Sequence, residues 1–262
     1  MPAKDECVFL VVPARKNSKR LKNKNVKDFE GFPLFEWSFA AALFVKKTLN
    51  SIGLSNVEIV CSSNDKKIIE IVIKKYSGAI SPVIREENLS GDNITLESVI
   101  IQAVEEIAKK KGLINALNGR FILLQPTSPI RAKTDLIGFC EMFTKTKKEF
   151  SILSANENYS DFKDIYSLKE INRLEGVAWI VGSKISKRGK LSKKTAFIDG
   201  SIYSGEISAL KRNTFMPNNK TFVFLQSTPW SVDIDTQKNF DEAVNALHKF
   251  KSEGIEVVKP EI

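Results

Sequence analysis

Two periodicities alternate along this chain. Residues 8–12 form an unbroken apolar run, and Pro13 ends it because proline has no N–H to give to a strand ladder. Such a run predicts a strand buried on both faces, as in a parallel sheet. From residue 33 to about 47 the apolar positions Leu34, Trp37, Ala41 and Val45 recur at helical spacing, with Pro33 in the first turn, where its missing donor costs nothing. The alternation then repeats. Residues 57–61 read as a strand, and Ser62, Ser63 or Asn64 caps a helix running through residue 75. A short strand at 79–84, a helix at 96–110, turns at 112–119 and a buried strand at 121–124 follow, after which Thr134 or Asp135 caps a helix to about residue 146. Later strands are predicted at 201–204, 221–225 and 230–234, with a closing helix at 241–250.

Strand, loop and helix in this order predict an α/β fold built on a doubly wound, mostly parallel sheet with right-handed crossovers. From about 157 to 198 the pattern degrades into mixed charges, scattered glycines and a basic run, which predicts an insertion within a single domain spanning 1–262. No internal repeat is evident.

Composition narrows the function classes. With 42% apolar residues the chain has the core of a globular protein, and neither a membrane-spanning apolar run nor a signal-peptide pattern is present, so a cytoplasmic protein with no membrane partner is expected. Cys7, Cys61 and Cys140 are widely separated and suggest neither a disulfide framework nor a zinc site. The one histidine, His248, sits near the end of the last helix, which argues against histidine-based catalysis. The formal charge of +9 comes mostly from lysines spread along the chain, a pattern that does not suggest nucleic acid as a partner.

Three loops at predicted strand ends carry the candidate chemistry. After the first strand come Arg15, Lys16, Ser18, Lys19, Arg20, Lys22, Lys24 and Asn25, placed where open α/β sheets grip nucleotides; solvent-facing lysines are the plain alternative. The segment QPTSPIR, residues 125–131, follows a buried strand, and its two prolines stiffen a turn rich in hydrogen-bonding side chains; a simple turn with a helix cap is the alternative there. The third loop is VDIDT, residues 232–236, where strand alternation turns Asp233 and Asp235 to one face. Two such carboxylates repel unless a cation intervenes, and hard oxygens suit Mg²⁺; a helix cap beside a solvated acid would explain them equally well. Together the three loops suggest a nucleotide grip, an acceptor loop and a metal pair.

The segments PARKNSKRLKNKN (13–25), FEGFPLFEWSFAAAL (29–43), LLQPTSPIR (123–131), DGSIY (199–203) and VDIDT (232–236) resemble the acylneuraminate cytidylyltransferases, or CMP-sialic acid synthetases, over most of the chain. The resemblance implies a nucleotide-diphospho-sugar transferase fold. It also implies transfer of CMP from CTP to the anomeric hydroxyl of a sialic-acid-like 2-keto-3-deoxy sugar acid, with release of pyrophosphate and a need for Mg²⁺. By resemblance Arg15, Ser18 and Lys24 hold the triphosphate, Asn25 lies at the ribose, Arg85 meets cytosine, and Thr95 belongs to the nucleotide site. Gln125 orients the sugar acid, Tyr203 and Phe215 line its pocket, and Asp233 and Asp235 bind the metal. Lys24, Asp233 and Asp235 are the catalytic set, with Asp235 positioned to accept the hydroxyl proton. The segment at 157–198 resembles the one through which these enzymes form homodimers. Lys16, Lys19, Arg20 and Lys22 are expected to be surface charge.

The chain also departs from the family pattern. EENLSGDNITL follows Arg85 in place of the usual run, Asp199 stands where asparagine is usual, and Met216 follows Phe215 where a second aromatic is common. A modified acid is therefore among the expected substrates, whether legionaminic, pseudaminic or deoxyoctulosonic. Lys163, Arg173 and Arg188 are candidates to meet its carboxylate. A catalytically degenerate nucleotide-sugar-binding module is the alternative from a different class.

Overall fold

The computed structural model describes residues 6–16, 18–91, 94–157, 165–173, 176–185, 195–212, 220–227 and 232–261. The first half follows the predicted alternation: β1 (Val8–Pro13), α1 (Leu34–Ser51), β4 (Val57–Ser63), α2 (Lys66–Lys75), β5 (Ser81–Ile84), α3 (Leu96–Lys111), β6 (Arg120–Leu124) and α4 (Lys133–Lys145). Between β1 and α1 lies a minimal hairpin, β2 (Asp28–Phe29) and β3 (Phe32–Pro33). The second half contains β7 (Ser151–Asn156), β8 (Ile165–Arg173), β9 (Gly176–Ile185), β10 (Thr195–Glu206), α5 (Ile207–Lys211), β11 (Thr221–Leu225) and α6 (Gln237–Ser252).

Nine of the described strands form one sheet in the order β5-β4-β1-β6-β10-β7-β11-β9-β8. Pairing is parallel from β5 through β6 and between β7 and β11, while β10 runs antiparallel to both β6 and β7. Residues 8–12 are buried completely, as an apolar run in a central parallel strand requires. Their side chains divide between two cores. Val8, Leu10 and Val12 face α1 and α4, whereas Phe9 and Val11 face α3. The segment expected as an insertion contributes β8 and β9, a hairpin that carries the sheet beyond β11 and folds back so that β8 also pairs with β10.

Several local expectations are corrected. Asp65 caps α2 by accepting from the Lys67 N–H, because Ser62 and Ser63 are already committed inside β4. No side chain caps α4, which starts after Ala132; Asp135 instead accepts from the backbone N–H and hydroxyl of Ser227, pinning the chain beyond β11. The strand expected at 230–234 is not formed over its described residues. Val232 to Asp235 runs without a ladder, held to the β6 loop by the Ile234 N–H donating to the Thr127 carbonyl at 2.7 Å.

Candidate active site

The sheet delivers β1, β4 and β6 in parallel, so their carboxyl ends open on one side, where a cavity of about 430 Å³ lies. Pro13, Arg15, Ser18, Lys19, Arg20, Lys24 and Asn25 form its mostly basic wall, Arg85 and Leu96 a second side, and Gln125, Pro126, Thr127 and Asp235 the remainder.

The basic loop is positioned by its backbone. Ala14 donates its N–H to the Ser62 carbonyl and accepts from the Ser63 hydroxyl at 2.6 Å, which ties the end of β1 to the end of β4. The Lys16 N–H donates to Asn64 Oδ1 at 2.8 Å, and Asn25 Nδ2 donates to the Arg15 carbonyl at 2.8 Å, closing the loop on itself. Lys24 is buried, with its ammonium donating to the Ile234 carbonyl and, at 3.0 Å, to Asp235 Oδ1. Arg20, expected to be surface charge, instead pairs with Asp235 Oδ2. Sequence pattern gave no signal for this, because the partner lies 215 positions away.

Arg85 is buried beside Ser62, donating to its hydroxyl and carbonyl at 3.2 and 2.9 Å; burial pulls the guanidinium down to about 10, so it still carries its charge at neutral pH. Thr95 does not reach the cavity lining; its hydroxyl caps α3, and the neighbouring Leu96 takes the wall position.

The polar loop after β6 splits into two functions. Gln125, Pro126 and Thr127 face the cavity, whereas Ser128 and Arg131 are buried behind it. Arg131 donates to the Ser201 carbonyl, the Gln125 carbonyl and the Ser38 hydroxyl, so it serves as an internal strut rather than an exposed ligand contact. Opposite Gln125 the register of β10 against β7 shifts between Ile198 and Tyr203, a bulge that bends the strand. Gly200 sits in that bulge at φ +75°, which only glycine adopts readily, and its carbonyl accepts from Gln125 Nε2 at 3.2 Å. A Cβ on Gly200 would lie 3.5 Å from Gln125 Nε2 and 3.6 Å from the Tyr203 hydroxyl, so the bulge brings these two predicted residues together. Tyr203 is not among the cavity-lining residues. Phe215, Lys163 and Arg188 lie outside the described residues, and Arg173 ends β8.

A cytidylyltransferase family model matches residues 9–174, more than half of the chain. The chain belongs to the cytidylyltransferase family. It is a nucleotidyltransferase. Among curated relatives, a pseudaminic acid cytidylyltransferase of Campylobacter jejuni is 29% identical, over 93% of this chain and 97% of its own length. A CMP-N,N'-diacetyllegionaminic acid synthase of Legionella pneumophila is also 29% identical, over 87% of this chain and 91% of its own length. An N-acylneuraminate cytidylyltransferase of Streptococcus agalactiae is 24% identical over 90% of this chain, but over only 52% of its own length. Among solved structures, a CMP:2-keto-3-deoxy-manno-octonic acid synthetase complexed with CTP superposes with a TM-score of 0.59 at 14% identity, covering 93% of this chain and 99% of its own, which shows a shared fold.

In this cytidylyltransferase the two aspartates after β11 are oxygen donors of the kind a hard cation takes, with Asp235 lining the cavity and Asp233 not among the lining residues. Val232 and Ile234 are buried and Asp233 and Asp235 are partly exposed, the alternation the sequence predicted, although no strand forms. Burial raises the Asp233 carboxyl above the usual carboxylate range, and the Asp235 charge adds to this; a hydrogen bond with Thr127 and the charges of Lys24 and Arg20 pull it back. Ionising both acids is therefore costly without further positive charge beside Asp233. No cluster of three or more His, Cys, Asp or Glu able to hold a metal exists among the described residues. Mg²⁺ suits such a site, since it is commonly held by one or two carboxylates together with substrate phosphates and water. No helix among the described residues is long and apolar enough to cross a membrane.

Proposed function

We propose that this protein transfers the cytidylyl group of CTP to the anomeric hydroxyl of a nonulosonic-type 2-keto-3-deoxy sugar acid, releasing pyrophosphate. The observation that carries this reading is one cavity walled by Arg15, Ser18, Lys24 and Asn25 on one side and by Gln125 and Asp235 on the other, in a chain of this family. The full-length similarity to the pseudaminic and legionaminic relatives favours acids of those kinds over sialic acid itself.

The chemistry follows from charge and position. In-line attack at the α-phosphorus needs the triphosphate fixed and its charge neutralised, with little covalent work left to the protein. Arg15, Ser18 and Lys24 serve that purpose on a loop whose backbone is tied to β4, so they meet the phosphates with little reorganisation. Arg85 reads the base, and Asn25 stands at the ribose end of the same wall. Gln125, held by Gly200, orients the acid, and Tyr203 supports the same bulge from outside the cavity lining. Magnesium held by Asp233 and Asp235 would supply charge neutralisation at phosphate and a lowered pKa for the attacking hydroxyl. Asp235 reaches the cavity and accepts the proton that the hydroxyl loses. The reading also expects a homodimer, tested by light scattering on a sizing column, and places the enzyme in the cytoplasm, where CTP is available.

The deciding experiment measures pyrophosphate release from CTP and Mg²⁺ with pseudaminic, legionaminic, sialic and octulosonic acids, using UTP, ATP and GTP as controls. CTP-specific turnover on a nine-carbon acid is the expected result. No turnover on any acid would replace this reading with that of a degenerate nucleotide-sugar-binding module.

A further inference from the structure

We propose that Arg20 is a nucleotide-operated arm: it competes with the divalent cation for Asp235 and passes to the triphosphate when CTP enters. This inference rests on the reading of the cavity given above and adds to it an order of events.

Asp235 carries two cations of different character. The Lys24 side chain is 8% exposed and is also pinned by the Ile234 carbonyl, so it is a fixed part of the wall. The Arg20 side chain is 66% exposed and reaches Asp235 from the solvent side of the same cavity. Lys24 takes Oδ1 and Arg20 takes Oδ2, so both carboxylate oxygens are engaged by protein donors and fewer lone pairs remain for a metal. An ion pair this exposed is weak and readily exchanged. A triphosphate offers Arg20 a better partner, because its oxygens match the planar guanidinium fork and carry more charge than one carboxylate. Transfer of Arg20 to the phosphates would then release Oδ2 for the cation that accompanies them. Metal uptake and nucleotide uptake become coupled through one side chain, beyond their direct contact with each other.

The test uses the full chain as wild type, Arg20→Ala and Arg20→Lys. Calorimetric titration with CTP in the presence of EDTA reads the phosphate contact, and Mn²⁺ titration by electron paramagnetic resonance without nucleotide reads the competition. Arg20→Ala is expected to bind metal-free CTP about tenfold more weakly and Mn²⁺ roughly two- to fivefold more tightly. Arg20→Lys, which keeps the charge but not the fork, should fall between the two on both measurements. Matching melting curves verify that the exposed substitutions leave the fold intact. An Arg20→Ala protein with unchanged Mn²⁺ affinity would overturn the competition, whatever its CTP affinity. Unchanged CTP affinity in that variant, with wild type binding CTP, would overturn the transfer alone. Wild type that binds Mn²⁺ but no CTP would overturn the underlying reading of the cavity as well.

Discussion

Replacing Arg131 with methionine tests whether the acceptor side of the site is braced from within. Arg131 is 1% exposed, and its guanidinium donates to the Ser201 carbonyl from Nε at 3.3 Å and Nη2 at 2.8 Å, to the Gln125 carbonyl at 2.9 Å and to Ser38 Oγ at 3.2 Å. The Gln125 carbonyl keeps the Ser38 hydroxyl at 3.1 Å and the Ser128 N–H at 3.2 Å, so the damage falls on Ser201, which loses both of these donors. A buried carbonyl stripped of its partner costs about 1–3 kcal/mol. Removing the buried cation, which burial pulls down to about 9, recovers its desolvation cost but also takes away the charge facing the buried Asp199, and these opposed effects leave the cost near the middle of that range. A net loss of about 2 kcal/mol corresponds to a fall in Tm of roughly 4–8 °C for a chain of this size. The functional consequence is directional. The strut links the loop that presents Gln125 to the strand that carries Gly200, whereas the CTP wall is tied to β4 by separate bonds. KM for the sugar acid should therefore rise about tenfold while KM for CTP stays near its wild-type value. Thermal melting and pyrophosphate release, with each substrate varied in turn, read both effects. A Tm equal to wild type, or a rise in KM for CTP as large as that for the acid, would refute the reasoning.

Other substitutions separate the remaining parts. Lys24→Met removes the ammonium that joins the Ile234 carbonyl to Asp235 and should weaken CTP binding and turnover together, by about tenfold or more each; unchanged kinetics would remove Lys24 from the site. Asp233→Asn should abolish most turnover yet stabilise the metal-free protein by on the order of 1 kcal/mol, as active-site substitutions often do. The sign follows from burial, which raises the native pKa above the unfolded value: native Asp233 retains a proton the unfolded chain has lost, so stability falls as pH rises through that window. The gain from Asp233→Asn should accordingly shrink as pH is lowered toward about 4 in melts with EDTA. Gly200→Ala meets no severe contact but forces alanine to φ +75°, which costs about 1–2 kcal/mol; a melting curve unchanged from wild type would argue against the strained bulge.

Features with short-range causes were legible in the sequence. The apolar run at 8–12 and the proline after it specify a central strand, and a parallel strand end fixes where its loop must open. That reasoning locates the loops at 14–25 and 125–131, whereas Lys24, Gln125 and Asp235 were singled out within the three loops by the family resemblance; all three line the cavity. What escaped depends on chain segments meeting in space. Arg20 looked like its neighbours Lys19 and Lys22 until Asp235 was placed beside it. Arg131 was one of several hydrogen-bonding side chains in the QPTSPIR turn, and only the convergence of the Ser38, Gln125 and Ser201 oxygens, which no local pattern shows, allows it to be buried. The caps of α2 and α4 failed similarly, since Ser62 and Ser63 were consumed inside β4 and Asp135 by Ser227.

The way each wall is held suggests how labour is divided across the cavity. The nucleotide wall is fixed through backbone bonds to a neighbouring strand, so its side chains can change without moving the loop. The acceptor wall is fixed through one buried guanidinium and one glycine bulge, so small changes there shift Gln125 and Tyr203 together. If the proposed chemistry holds, specificity for the acid should then respond to substitutions in β10 and its buried supports. Specificity for CTP should remain with Arg85 and the β1 loop. A pair of changes, one on each wall and neither at the Lys24–Asp235 bridge that joins them, should therefore have additive effects on kcat/KM, because the anchors of the β1 loop on β4 and of Gln125 on β10 are separate. Arg131→Met combined with Arg15→Ala provides that test. Coupling greater than about 0.5 kcal/mol between them would mean that the walls move as one unit and that this division is wrong.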